Sequence, residues 1–473
     1  MENKYKKLLS NTLIFAIGNF GSKLIMFFFV PLYTNVLSTN EYGIAELVTT
    51  FSTLLVPIIS LGIGEAVLRF GLYKDINKNA VIKNSFIVLI CGSVLMVIIS
   101  PLLGLYKPIN DYIVELVTIT ILTAFRTSLQ YYAKAIDKNK VFAVDSILYT
   151  FILALFNVIF LIAVPLGISG YLLSYIIAGI ISCLYLTLRS IKIKNIIIQN
   201  IDFSLLKKML KYSAPLIANS ISWWVFHSTD KIMIQHYISN DAVGLYTVAS
   251  KIPSLVNTVT YFFSQAWTIS AISEYDEDRD VNYYNNTFRY FNSILCIIIS
   301  ALLLVLKPFM SVYVGPNFLL SWQFVPLLLV AAVFQNYSNF FGPFFSSANK
   351  NMNVMLTTLA GAGANVILNA VLIPKIGSQG AVIATVISYA IVSVYRILAS
   401  RKYLPIKIEK LSTFGSVLLI VVQSICVGYE FHSLHISIVT IILICLLNFT
   451  TYRELINAGL RITNYKILRR KEK

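Results

Sequence analysis

Fourteen stretches of roughly twenty apolar residues, each ended by a polar or basic break, constrain this chain more than any other feature. They fall near 11–33, 43–63, 85–106, 112–133, 141–163, 168–188, 212–236, 244–271, 288–310, 320–345, 351–373, 379–399, 410–428 and 435–452. A helix of about 20 residues crosses a ~30 Å hydrocarbon layer. The expected fold class is therefore an all-α polytopic membrane protein with about 14 transmembrane helices. Composition agrees: 57% of residues are hydrophobic and 12% charged, against about 25% charged in soluble domains. The first run, Leu8 to Leu32, follows Lys4, Lys6 and Lys7. It is too long for the apolar core of a signal peptide and lacks a small-residue cleavage site, so it reads as an uncleaved first span.

Basic residues test the count. With the N-terminus placed in the cytoplasm, 31 of the 38 Lys and Arg fall in inside segments. Outside loops hold Lys107, Lys307 and Lys375, and four more lie within spans: Lys23, Arg126, Lys231 and Lys251. A wrong count would scramble this asymmetry, so both termini are expected in the cytoplasm. The acidic segment 272–289 is placed inside by parity alone. The net charge of +17 is explained by topology and anionic headgroups, with no need of nucleic acid. No outside loop exceeds about 15 residues, which leaves little room for an extracytoplasmic catalytic domain.

The chain repeats itself. "YTNVLSTNEYGIAEL" (33–47) parallels "IQHYISNDAVGLYTV" (234–248), with Gly43 and Gly244 separated by 201 positions. Gly167 and Gly170 recur as Gly377 and Gly380, an offset of 210, each pair opening a span. Residues 1–200 and 201–405 therefore read as two six-helix pseudo-repeat lobes around a central cavity, with 406–473 adding two helices and a basic cytoplasmic tail. The basic linker 189–215 is amphipathic and is expected on the inner membrane face.

The openings "NTLIFAIGNFGSKLIMFFFVPLYTNVLSTNEYGIAELVTTF", "STDKIMIQHYISNDAVGLYTVASKI" and "NVILNAVLIPKIGSQGAVIATVISY" resemble the polysaccharide flippases. These belong to the multidrug/oligosaccharidyl-lipid/polysaccharide exporter superfamily, and the resemblance covers roughly residues 1–450. It implies a two-lobe fold with a cationic cavity. It also implies alternating-access export of an undecaprenyl-pyrophosphate-linked oligosaccharide from the cytoplasmic to the outer leaflet, in cell-surface polysaccharide biosynthesis. Asp230 and Lys231 line up with an Asp-basic pair that recurs in this span of the family.

Charges inside spans are the candidate site. A charge at the bilayer centre costs at least ~2.5–3.5 kcal/mol on insertion scales. Lys23, Arg126, Lys231 and Lys251 are the candidate substrate-binding residues, because a pyrophosphate favours charge-assisted bonds from cations in a low-dielectric cavity. Each has a structural alternative, from snorkelling to a helix-packing ion pair. Asp230, Glu46 and His227 are candidates for a coupling-ion site or for structural partners. Asp230 and Lys231 lie about 100° apart on a helix and do not face each other. Thr123, Arg126, Thr127 and Gln130 form one polar face, and Glu65 and Arg69 have the spacing of a helix pair. Trp223, Trp224 and Trp267 could stack on sugars, or belong to interface belts and packing.

No catalytic or metal-ligating constellation stands out, and there is no Walker A loop, so neither an enzyme nor a cofactor is expected. The five cysteines read as small apolar packing residues. The expected partners are a lipid-linked oligosaccharide, membrane lipids, a coupling H+ or Na+ and other glycan-assembly proteins. The expected location is the cell (plasma) membrane. A cation-coupled multidrug antiporter of the same fold and a cell-wall lipid-precursor flippase are the alternatives.

Overall fold

The structure, a computed structural model, describes residues 25–277, 280–348, 350–404, 406 and 408–457. In chain order the α-helices are α1 Val30–Val36, α2 Thr39–Ile59, α3 Ile63–Leu72, α4 Lys78–Leu103, α5 Ile113–Ala135, α6 Asn139–Val158, α7 Gly167–Ser190, α8 Ile193–Ile198, α9 Phe203–Tyr237, α10 Asn240–Glu277, α11 Val281–Tyr313, α12 Val325–Ser347, α13 Asn351–Ile376, α14 Ser378–Ser400, α15 Lys410–Gly428 and α16 Ser433–Leu447. Short 3₁₀ turns lead into α5 and α12, and a π turn ends α6. The protein is an all-α, multi-pass membrane protein.

Among the described residues, ten helices are long and apolar enough to cross a membrane. An eleventh is the pair Ser433–Leu447 and Phe449–Asn457, bent by 68°. Three of the expected stretches account for the shortfall from fourteen. The first apolar stretch begins before the described residues. The helices α9 and α10, of 35 and 38 residues, are long enough but too polar to qualify. They carry His227, Asp230, Lys231 and Lys251.

Two compact units divide the chain. One takes the described residues through Val248 together with Val314–Phe318; the other takes Ala249–Tyr313 and the described residues from Leu319 onward. The break falls inside α10.

In the first unit, the sequence Ser-Thr-Asn-Glu at 38–41 starts α2 with a reciprocal cap. The Ser38 hydroxyl accepts from the Glu41 N–H at 3.2 Å, and the Glu41 carboxylate accepts from the Ser38 N–H at 2.8 Å. Leu61 and Gly62 both adopt positive φ, 48° and 63°, so the stretch expected as one span to residue 63 breaks there and restarts as α3. The repeat-related glycines meet. A Cβ on Gly43 would lie 2.0 Å from the Asn240 carbonyl oxygen, and one on Gly244 would lie 2.2 Å from that of Thr39. The two contacts, 197 and 205 positions apart, are centred on the 201-residue offset read from the sequence, so the heads of α2 and α10 cross backbone to backbone. Asp241 accepts from Thr39 and, at 3.2 Å, from Asn40 Nδ2. Beside this crossing Tyr33, Tyr42 and Tyr171 pack ring on ring, with Phe318 edge-on to Tyr42 at 5.9 Å. The segment before α9 is fastened by Asn84 Nδ2 donating to the Asp202 carbonyl at 2.8 Å.

In the second unit an aromatic core joins α10, α11 and α12. Trp267 stacks on Phe340 at 4.4 Å, Phe263 on Phe291 at 4.6 Å, and Phe288 packs against Phe340 and Phe341 at 5.1 Å. Buried polar ties fasten the last helices. Asn448 accepts from Ser293 of α11 and Ser412 of α15 at 2.6 Å and donates to Ser416 at 3.0 Å. Gln423 accepts from Ser300 at 2.6 Å. With no water in the hydrocarbon layer, such bonds hold helices that hydrophobicity alone does not hold. Asn448→Leu takes a partner from three serine hydroxyls, and thermal unfolding in detergent should show a loss of about 0.6–2 kcal/mol. An unchanged melting temperature would mean the tie contributes nothing.

Candidate functional site

Helix α9 places its polar residues on diverging faces. Asp230, 5% exposed, accepts from the Tyr246 hydroxyl of α10 at 2.6 Å. Lys231 turns instead to α2, where its Nζ lies 2.9 Å from Glu46 Oε2. The two side chains are 18% and 9% exposed, so this is a largely desolvated ion pair. The roughly 100° between neighbouring residues on a helix is what sends Asp230 and Lys231 to different partners. One turn away, His227 is exposed and its ring stacks on Trp223 at 5.6 Å with planes 11° apart. Trp224 Nε1 donates to the Thr50 carbonyl at 2.9 Å, which fixes α9 against α2. Ser220, Trp224, His227 and Lys231 follow the i, i+4, i+7, i+11 spacing of one helix face.

Glu46, His227, Asp230 and Lys231 thus belong to one cluster, on α2, α9 and the head of α10. Its surroundings are hydroxyl-rich. Thr49 and Thr53 of α2 are accessible, and their hydroxyls donate to the carbonyls of Glu46 and Thr50.

The other candidates lie elsewhere. Arg126 of α5 is tied down by its neighbours. Its Nη2 lies 3.0 Å from Asp145 of α6, its Nε donates to Ser182 of α7 at 2.8 Å, and its guanidinium sits 3.8 Å over the Tyr149 ring. Asp145 is fully buried and also accepts from Gln130 at 2.7 Å and from Ser182. Thr127 and Gln130 share the polar face expected around Arg126, and that face meets protein. Lys251 is half-buried in the second unit. Lys23 lies outside the described residues. The anticipated Glu65–Arg69 contact takes a different form. Glu65 accepts from Tyr131 at 2.7 Å, while Arg69 donates to Tyr73 at 3.3 Å and stacks over Tyr212 at 4.3 Å.

Sequence reasoning missed three participants. Asp145 is the one acid between 139 and 163, a signal that was available. Tyr246 gave no signal, since tyrosine is common throughout the chain. Arg396 was counted with the inside basic residues, yet α14 runs on to Ser400 and Arg396 is 3% exposed. Its guanidinium donates to Ser338, Thr357, Thr358 and the Val354 carbonyl at 2.9–3.2 Å. Hydroxyls and carbonyls hold that charge inside the helix packing. Among the described residues no group of three or more His, Cys, Asp or Glu gathers as metal ligands.

Comparison with known proteins places this geometry. Residues 8–268, more than half of the chain, match the family described as polysaccharide biosynthesis protein. The chain belongs to the polysaccharide biosynthesis protein family. An uncharacterised membrane protein of Methanocaldococcus jannaschii is 25% identical over 431 residues, covering 84% of this chain and 99% of that one. Among solved structures, a lipid II flippase, MurJ, in an inward closed conformation superposes with a TM-score of 0.66 at 15% identity, over 94% of this chain and 100% of that one. An outward-facing multidrug resistance MATE family transporter of the MOP superfamily superposes at 0.56 with 15% identity, over 83% and 93%. This member of the polysaccharide biosynthesis protein family therefore has the fold seen in both.

Proposed function

We propose that this protein is a flippase. It would carry an undecaprenyl-pyrophosphate-linked oligosaccharide from the cytoplasmic to the outer leaflet of the cell membrane, for polysaccharide assembly. The observation that carries the reading is the Lys231–Glu46 pair with Asp230 and His227, which joins α2 to α9, a long helix too polar to be an ordinary span. Burying such charges costs free energy, so their retention points to ion chemistry. The family supports a role in polysaccharide synthesis, and the shared fold supports transport.

In this reading Lys231 exchanges partners. A pyrophosphate brings two or more negative charges and several acceptor oxygens, and it competes with Glu46 for the ammonium. Glu46 is then open to a coupling H+ or Na+, and Asp230 stays fixed by Tyr246. Lys23 is a further cation for the headgroup and Lys251 a separate candidate contact in the second unit, while Arg126 and Asp145 brace helices of the first.

The test is a proteoliposome assay. A fluorescent polyprenyl-pyrophosphate oligosaccharide is loaded, and its access to an outside quencher is followed. Protein-dependent translocation is expected. No translocation, together with gradient-driven uptake of a cationic dye, would replace the flippase by an antiporter.

A further inference from the structure

Within the second unit, α12 is buried on nearly every side. Between residues 335 and 347 the positions not buried are Gln335, Asn339, Gly342 and Ser346. Their spacing of four, three and four puts them on one line along the helix. All are polar or glycine. At Gly342 an added Cβ would meet only Arg396 Nη1, at 3.7 Å, so the line is open there.

Helix α10 runs beside α12 in the same direction. Asn257 Nδ2 donates to Gln335 Oε1 at 2.6 Å, and the rings of Phe263 and Trp267 pack on those of Phe340 and Phe344 at 6.3 and 6.0 Å. From that register, Tyr261 lies level with Asn339, Gln265 with Gly342 and Thr268 with Ser346. Those three residues of α10 are again accessible, polar and on one face. Val259, an exposed apolar residue of α10, lies on a different face, which suits lipid, while Ile269 borders the polar line one turn after Gln265. Two parallel polar lines thus flank one groove, roughly 16 Å long from Asn257 to Thr268 at ~1.5 Å per residue.

The amides of Gln265 and Asn339 are exposed and have no hydrogen-bond partner among the described residues. Each amide offers two donors and two acceptors. Leaving such groups against hydrocarbon is costly, so the groove faces water or a polar ligand. Its chemistry differs from that of the Lys231 cluster: amides and hydroxyls, closely spaced, with no carboxylate. That set matches the hydroxyls and amides of a sugar chain, which donate and accept at short intervals. It matches a phosphate less well, because the cation beside it, Arg396, already donates to Ser338, Val354, Thr357 and Thr358. Trp267, a sequence-level candidate for sugar stacking, is 2% exposed and belongs to the core beneath.

We propose that this groove on α10 and α12 is a glycan-binding subsite that holds the sugar portion of a lipid-linked oligosaccharide. The inference rests on the flippase reading above and adds where the uncharged part of the cargo is read.

The experiment compares two probes on purified full-length protein. One is a fluorescent polyprenyl pyrophosphate; the other is the same lipid bearing a neutral trisaccharide that contains N-acetylglucosamine. Wild type should bind the glycosylated lipid more tightly. The double variant Gln265→Ala/Asn339→Ala should lose about tenfold of that preference and bind the bare lipid as before. Both positions are exposed, so folding should be unaffected. Gly342→Leu, which fills the groove without removing a polar group, should do the same. The proposal is overturned if wild type shows no preference, if the variants keep it, or if both lipids weaken equally. The free trisaccharide binding as tightly as the lipid would make this a free-sugar site instead. A wild type that binds neither lipid would sink the flippase reading itself, and this subsite with it.

Discussion

Asp145→Ala should lower the stability of the protein by about 3–5 kcal/mol. The carboxylate is fully buried, and it is the anion that answers Arg126 at 3.0 Å. It also receives Gln130 and Ser182, so its loss strands three donors from two other helices. Removing one member of a desolvated pair leaves the other charge without compensation. Thermal unfolding in detergent measures the loss. The double change Arg126→Met/Asp145→Leu removes both charges at similar volume, and it should recover most of the stability. If Asp145→Ala melts like wild type, Arg126 does not depend on this partner, and a ligand role for it gains ground.

Lys231→Ala should reduce translocation of the lipid-linked oligosaccharide at least about tenfold, the loss expected for one charge-assisted contact worth ~1.5–3 kcal/mol. Membrane expression should hold, because the lysine is partly accessible. The variant also strands Glu46, so a stability effect must be separated from a transport effect. Lys231→Ala/Glu46→Gln does this. If Lys231 is only a structural partner of Glu46, neutralising both restores transport. If Lys231 meets the headgroup, the double variant is more impaired than Glu46→Gln alone, which reads any loss of coupling by itself. Lys231→Arg, which keeps the charge, should keep most of the rate.

Much of the fold was legible because hydrocarbon imposes a simple rule on sequence. Twenty apolar residues and a basic exit mark a span whatever it packs against, and ten such helices stand where the apolar windows lie. Gly43 and Gly244 had to be glycines because backbones meet there. Ion-pair partners were harder to read. Spacing along one helix suggested Glu65 with Arg69, but the tyrosines Tyr131 and Tyr212 on other helices offered better contacts. Lys231 and Glu46 are 185 positions apart, and nothing local to either names the other. Arg396 looked like an exit residue because a charge near a span end usually snorkels. The hydroxyls of Ser338, Thr357 and Thr358 come from helices that one-dimensional reading cannot bring alongside.

The polarity of α9 bears on how the chain is made. A segment of this kind partitions poorly into lipid by itself, so it depends on something already in the bilayer to receive it. Chain order supplies that. Glu46 and Thr50, which take Lys231 and Trp224, belong to α2, and Tyr106, which bonds Gln235, also precedes α9. All three have left the ribosome before the first residue of α9 does. The remaining partner, Tyr246, follows within a few residues of the helix end. The least lipophilic helix is thus synthesised into a membrane that already holds most of its acceptors, and the next turn of chain delivers the last.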